Sequence, residues 1–212
     1  MAWPNMQPLV SEQHAPAAAR GRVALLGLYP ADPTRIVGGV EAVVATLAHE
    51  LAALPGMEVH VLSGSPAVAQ ITREQHGQVT VHRVPEKRLG RLFLLRTDWW
   101  WLRRAIRSVA PDVVHAHSAG ANVDAALSSG LPAVVTIHGV VAQEARLASQ
   151  GGSLAGRLRW TFDRVYERYS LARAQNIIVI SPYLLREFPW LCLLYTSPSP
   201  RDRTRYRMPS SA

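Results

Sequence analysis

The run RVALLGLY (22–29), continued by PADPTRIVGGVEAVVATLAHEL (30–51), decides how the rest of the chain is read. Residues 22–29 are apolar almost without interruption, as in a strand covered on both faces. From Val40 the apolar positions 40, 43, 44, 47, 51 and 54 keep helical spacing, and Pro55–Gly56 ends that element. Adjacent glycines, Gly38 and Gly39, stand at the mouth of the helix. Two readings are open. Glycines allow a tight turn. They also leave backbone N–H groups bare at the positive end of a helix, which suits a phosphate.

Working outward, the same alternation continues. Strands are expected at 57–63, 78–84, 112–117, 133–137 and 176–180, with helices at about 96–109 and 119–129. A long amphipathic helix is expected to carry Leu154, Leu158, Phe162, Val165 and Tyr169 on one stripe, and Ser181 with Pro182 opens another helix. Apolar strands separated by helices predict an α/β fold, a Rossmann-like doubly wound and mostly parallel sheet. No repeat and no second domain is legible.

Composition bounds the function. The chain has 212 residues, 48% of them hydrophobic and 18% charged, which suits a folded domain with one sizeable core. The single cysteine, Cys192, excludes an internal disulfide and a thiolate metal cluster, which fits a cytoplasmic setting. No apolar run approaches the roughly 18 residues of a membrane span. Residues 1–20 have no basic start followed by an apolar stretch, so they read as a flexible leader rather than a secretory signal. Of the net charge of +8, the last 21 residues hold +3, and the other +5 concentrates between Arg83 and Arg107.

From residue 191 the pattern stops. CLLYTSPSPRDRTRYRMPSSA (192–212) has no helical or strand periodicity. It resembles the translation of sequencing-adapter read-through at the ends of truncated genes. The expected organisation is a leader at 1–20, one domain at 21–190, and a non-native or disordered tail at 191–212.

In doubly wound sheets ligands bind outside the carboxyl ends of the strands. Gly38 and Gly39 follow the first strand, His117 closes DVVHAH, and His138 directly follows AVVTI, so all four fall on one rim. Gly139 after His138 would let a ligand approach closely, and a neutral imidazole there could hydrogen-bond a sugar hydroxyl or a developing charge. His115 lies deeper in its strand and reads as a core histidine. His115, His117 and Asp112 offer no convincing third ligand, so no metal is expected. Dinucleotide binding is disfavoured, because G-x-G-x-x-G is absent and VLSGSP follows the second strand where an acid belongs. No G-K-[ST] is present. Glu50 and Glu58 have an E-x7-E spacing, but Pro55–Gly56 separates them. GGSLAG (151–156) is no nucleophile elbow, and the histidines lack triad partners.

The stretch KRLGRLFLLRTDWWWLRRAIR (87–107) holds the remaining charge. Lys87, Arg88, Arg91, Trp99, Trp100, Arg103, Arg104 and Arg107 compose a basic, aromatic surface suited to an anionic membrane or an acidic partner. In the competing reading Trp99, Leu102 and Ile106 pack on the sheet and the arginines are solvated. No nucleic-acid-binding motif accompanies the charge. A non-catalytic basic module is the rival class to an enzyme.

RVALLGLYP…VGGVEAVVATLAHEL, PDVVHAHSAG, LPAVVTIHG and ARAQNIIVISPYL together resemble the N-terminal domain of family 4 glycosyltransferases. The likeness covers about residues 20 to 189, in order. It implies half of a GT-B fold and a retaining transfer of a hexose from a UDP- or GDP-sugar to a hydroxyl acceptor, without a required metal or other cofactor. It implies that the Gly38–Gly39 loop contacts the donor diphosphate and bound acceptor. By the same likeness His138 is the cleft histidine that contacts the transferred sugar, and His117 lines the acceptor side. It further implies that nucleotide-sugar binding resides largely in a second domain with a Glu-x7-Glu pair, which this sequence lacks. The chain alone is then expected to be inactive, and its setting cytoplasmic, including the inner membrane face where lipid-linked acceptors lie.

Overall fold

The structure, a computed structural model, describes residues 21–32, 35–86, 96–140, 143, 154–191 and 193–196. Within them the chain forms β1 (Gly21–Leu26), α1 (Gly39–Ala52), β2 (Met57–Ser65), β3 (Thr72–His76) and β4 (Val79–Pro85). Next come α2 (Arg96–Val109), β5 (Val113–His117), α3 (Ala121–Leu127) and β6 (Ala133–Ile137). The chain closes with α4 (Leu154–Ala172), β7 (Ile177–Val179), α5 (Pro182–Glu187) and β8 (Leu193–Thr196).

The strands form one sheet in the order β3-β4-β2-β1-β5-β6-β7-β8. Neighbours run parallel except β3 and β4. Side chains alternate across it, so the two faces are built from interleaved residues of the same strands. Leu25, Val59, Val61, Val79 and Val81 meet Val44, Ala45 and Ala48 of α1. From the opposite face Ala24, Leu26, Leu62, Val114 and Ile137 meet Leu102 and Ile106 of α2, Val123 of α3 and Leu184 of α5. This is the expected doubly wound arrangement. The chain winds outward from β1 through β2 to β4, then returns to the other side of β1 with β5. The order therefore reverses between β1 and β5, the place where sheets of this kind bind ligands.

Three sequence readings need correction. The hairpin strand β3 was not expected. Its residues TREQH are polar and at most half-buried, because it is an outer strand, and Gly77 at φ 61° makes the turn into β4. The second concerns residues 191 onward: the backbone of Leu193–Thr196 pairs parallel with β7, so these four residues have strand structure. Residues 197–212 and the leader 1–20 lie outside the described residues.

The third is the phase of α4. Val165 and Tyr169, expected inside, are 62% and 58% exposed. Glu167, Ser170 and Leu171 are buried instead. The helix is turned by polar ties to α3: the Tyr166 hydroxyl donates to Asp124 Oδ2, Arg173 Nη1 to Asp124 Oδ1 at 3.0 Å, and the Gly120 amide to Ser170 Oγ at 3.3 Å. Leu154 and Leu158 fall where side chains are not described.

Candidate functional site

At the β1/β5 reversal the chain comes very close to itself. A Cβ on Gly27, just past β1, would lie 3.2 Å from Cβ of His117 and 3.0 Å from Cγ2 of Val44 on α1. Only glycine lets strand end, helix and histidine meet there. The following loop is held by Arg83, which is buried at 7% exposure. Its guanidinium donates to the carbonyls of Tyr29 (2.8 Å) and Pro30 (2.7 Å), and its Nε to Glu74 (3.1 Å). Counted in the sequence as part of a basic cluster, Arg83 is structural. A charged residue inside the buried strand VTVHRVP was the available signal.

Gly38 and Gly39 open α1 under different constraints. Gly38 is the residue before the first turn, with extended backbone (φ −129°, ψ 154°). A Cβ on either glycine would meet nothing within 4 Å. A tight turn therefore does not explain them. Glu41, which sequence reading missed, reaches back so that its carboxylate accepts the N–H of Val37 (2.8 Å) and of Gly38 (3.3 Å). The N–H groups of Gly39 and Val40 remain at the first turn, where a helix offers no internal acceptor.

His117 and His138 are brought together. His117 Nδ1 and His138 Nε2 lie 2.9 Å apart with the rings stacked at 5.2 Å. His115 points to the same side, its ring 4.3 Å from that of His117 and its Nε2 2.7 Å from Thr136 Oγ1. That satisfies His115 within the fold. His117 is 1% exposed, and its Nε2 is buried with no partner. Such an orphaned nitrogen costs on the order of 1–3 kcal/mol. Burial lowers the pKa of all three, to about 4 for His115. The imidazoles are therefore neutral at physiological pH. The next residue, Ser118, has φ 80°, a left-handed backbone that L-residues rarely adopt, and Asn122 Nδ2 donates to the His117 carbonyl at 3.2 Å. Gly139 follows His138 and is partly exposed.

Asp112 is not part of this cluster. It sits at the other end of β5, where its carboxylate accepts the Arg22 amide at 2.7 Å. Among the described residues no three His, Cys, Asp or Glu side chains are placed to hold a metal ion. Glu50 stays on α1 while Glu58 lies on β2, as the Pro55–Gly56 break requires. An open groove of about 510 Å³ lies at the amino ends of β1, β2 and β5, lined by Arg22, Met57, Glu58, Ala110 and Asp112. It is on the opposite edge from the histidines. Its charged groups already answer one another, so the rim rather than this groove is the candidate site.

The basic helix α2 is largely used by the fold. Trp99 and Trp101 pack against the core with Leu102 and Ile106. The Trp99 indole donates to Ser128 Oγ at 2.9 Å, so Trp99 is turned away from the surface it was assigned to. The Arg103 guanidinium covers the Trp99 ring at 4.9 Å, while Trp100, Arg104 and Arg107 are exposed. Lys87, Arg88 and Arg91 lie outside the described residues. No helix among the described residues is long and apolar enough to cross a membrane.

Residues 37–190 match the family described as Glycosyltransferase Family 4. No curated protein matches the chain significantly. Among solved structures the chain is similar to sucrose-phosphate synthase from Thermosynechococcus elongatus, with TM-score 0.59 and 17% identity over 90% of this chain and 53% of that one. It is also similar to a shorter form of the same synthase, with TM-score 0.51 and 15% identity over 88% of this chain and 94% of that one. The chain thus spans about half the length of the first synthase structure. At these identities the likeness concerns the fold.

Proposed function

Since the chain belongs to glycosyltransferase family 4, we propose that its β1/β5 rim is one wall of a cleft in which a hexose passes from a UDP- or GDP-sugar to a hydroxyl acceptor with retention. The carrying observation is that Gly38 and Gly39 answer no demand of their own chain, since neither is crowded within 4 Å. They lie on the same edge of the sheet as a buried histidine nitrogen that lacks a partner. The donor diphosphate would take the N–H groups of Gly39 and Val40 at the positive end of α1. Glu41 fixes the loop but also sets a carboxylate near that anion, so this half binds the donor weakly by itself. His138, neutral, hydrogen-bonds the transferred sugar, and Gly139 leaves room for it. His117 lines the acceptor side and holds the His138 ring.

Leaving phosphate and incoming hydroxyl lie on the same face of the sugar, and no metal or other cofactor is required of this half. The facing domain supplies the remaining donor contacts, so the chain alone binds without turnover. The acceptor hydroxyl, on a soluble or lipid-linked carrier, is reached from the cytoplasmic side.

Titration of UDP-glucose and GDP-mannose into the isotope-labelled chain tests this reading. Amide shifts at Gly38, Gly39, Val40 and His138, with no sugar transfer, are expected. Saturating donor that moves none of these amides would refute it.

A further inference from the structure

We propose that the outward face of α4 docks the protein on an anionic lipid surface. The unexpected phase of this helix creates that face. Arg157, Arg164 and Arg168 are exposed and spaced by seven and four residues, which aligns them on one side. Both acids of the helix are turned away: Asp163 is partly buried and Glu167 is 2% exposed. Arg173 is committed to Asp124. Among the described side chains of α4 every exposed charge is therefore positive.

Apolar groups flank the arginine row on the same exposed side. Val165 and Tyr169 are well exposed, and Trp190 is 37% exposed beside them. The Arg168 guanidinium lies 5.8 Å over the Trp190 ring and that of Arg164 5.5 Å over Trp160. Stacking of this kind orders the cations before any contact is made. Arginines for the phosphates, with valine, tyrosine and tryptophan for the boundary between headgroup and acyl chain, suit a lipid surface. The alternatives fit less well. The face is one convex helix, so it offers no groove for an acidic peptide and no platform of successive aromatics for a nucleic-acid strand. On α2, the helix whose sequence announced a membrane contact, Trp99 and Trp101 pack inward, leaving Trp100, with Arg104 5.6 Å over its ring, as the exposed one of the three tryptophans.

The test is sedimentation of the full chain with vesicles of equal parts phosphatidylglycerol and phosphatidylcholine, and with phosphatidylcholine alone. Binding to the mixed vesicles only is expected. R164Q/R168Q is expected to weaken it about 30-fold, since each arginine near such a surface contributes about 1 kcal/mol. V165S/Y169S is expected to weaken it too, while R104Q/R107Q on α2 leaves it unchanged, with melting curves showing each variant folded. The arginines of residues 201–207 are common to all variants, so the differences report α4 alone. Binding retained by R164Q/R168Q overturns the proposal, and so does equal loss in R104Q/R107Q. Loss only on charge removal, with an acidic polymer competing fully, assigns the face to an acidic macromolecule. Release by inorganic phosphate at constant ionic strength assigns it to a phosphate pocket. Either result also overturns docking on lipid.

Discussion

Two histidine pairs lie on this sheet, alike in spacing and different in what answers them. On β2 and β4, His60 Nδ1 and His82 Nε2 are 3.0 Å apart, and Glu58 Oε1 lies 2.8 Å from the second His60 nitrogen. At the rim, His117 and His138 are 2.9 Å apart, but the second His117 nitrogen is buried with no partner. Burial lowers the pKa in both pairs, to about 4 for His82. The shifts therefore do not separate structure from function. What separates them is closure. The β2/β4 pair ends on a carboxylate of its own chain, whereas the rim pair sits where strand order reverses and leaves hydrogen-bonding capacity unused. A perturbed histidine is common wherever one is buried. An unanswered one where strand order reverses is the more specific mark of a site.

The largest expected effect is shared by both pairs and shows where they are alike. A neutral buried histidine resists protonation that the unfolded chain accepts near 6.5. Stability is therefore complete above pH 6.5 and is lost progressively as pH falls toward 4, where the folded protein also takes up protons. Each of His82 and His115 contributes a loss of about 3 kcal/mol over that window. Thermal melts from pH 7.5 to pH 4 should show the decline, and His82→Phe should flatten part of it. A flat profile would remove the argument for neutral imidazoles.

Next come the glycines. Gly27→Val should destabilise by about 1–3 kcal/mol, because its side chain has no room between Val44 and His117. Gly39→Val should leave the melting temperature nearly unchanged yet abolish UDP-glucose shifts at the start of α1. Equal thermal losses in the two variants would mean that Gly39 is a structural glycine after all.

A smaller contrast is expected between the pairs themselves. His138→Ala should weaken donor binding about tenfold, the loss of roughly one neutral hydrogen bond, and also cost about 1–3 kcal/mol of stability, because it orphans the second His117 nitrogen. His82→Ala should cost stability alone. The smallest effect is Glu58→Gln. Its partners Arg22 and His60 lower the Glu58 pKa, but the carboxylate is half exposed, so solvent screening limits the change to about 0.5 kcal/mol. A loss of several kcal/mol on chemical denaturation would show that the β2/β4 pair depends on its acid far more than exposure allows.

The central strands were legible because parallel strands covered on both faces are nearly continuous apolar runs, as in β1, β5, β6 and β7. β3 was not, since an outer strand with TREQH carries no apolar signal. α4 was identified but misphased: its buried side includes Glu167 and Ser170, chosen by hydrogen bonding rather than hydropathy. For the candidate site, the shared rim of His117, His138 and the glycine pair followed from position alone, because the topology places the carboxyl ends of the parallel strands on one edge. Glu41 and Gly27 did not, since their roles depend on which element lies opposite. The division of labour between α2 and α4 was equally hidden, because tryptophan and arginine pack inward or face water with the same composition.

Ser118 gives the rim a particular position in adaptation. Its left-handed backbone (φ 80°) stores on the order of 1–3 kcal/mol directly beside His117. Ser118→Gly relieves that strain without displacing an atom of the core, so selection for heat resistance has an accessible step here. The same change loosens the short segment by which Asn122 holds the His117 carbonyl. Keeping a serine at this point therefore trades thermal endurance for a histidine that does not wander.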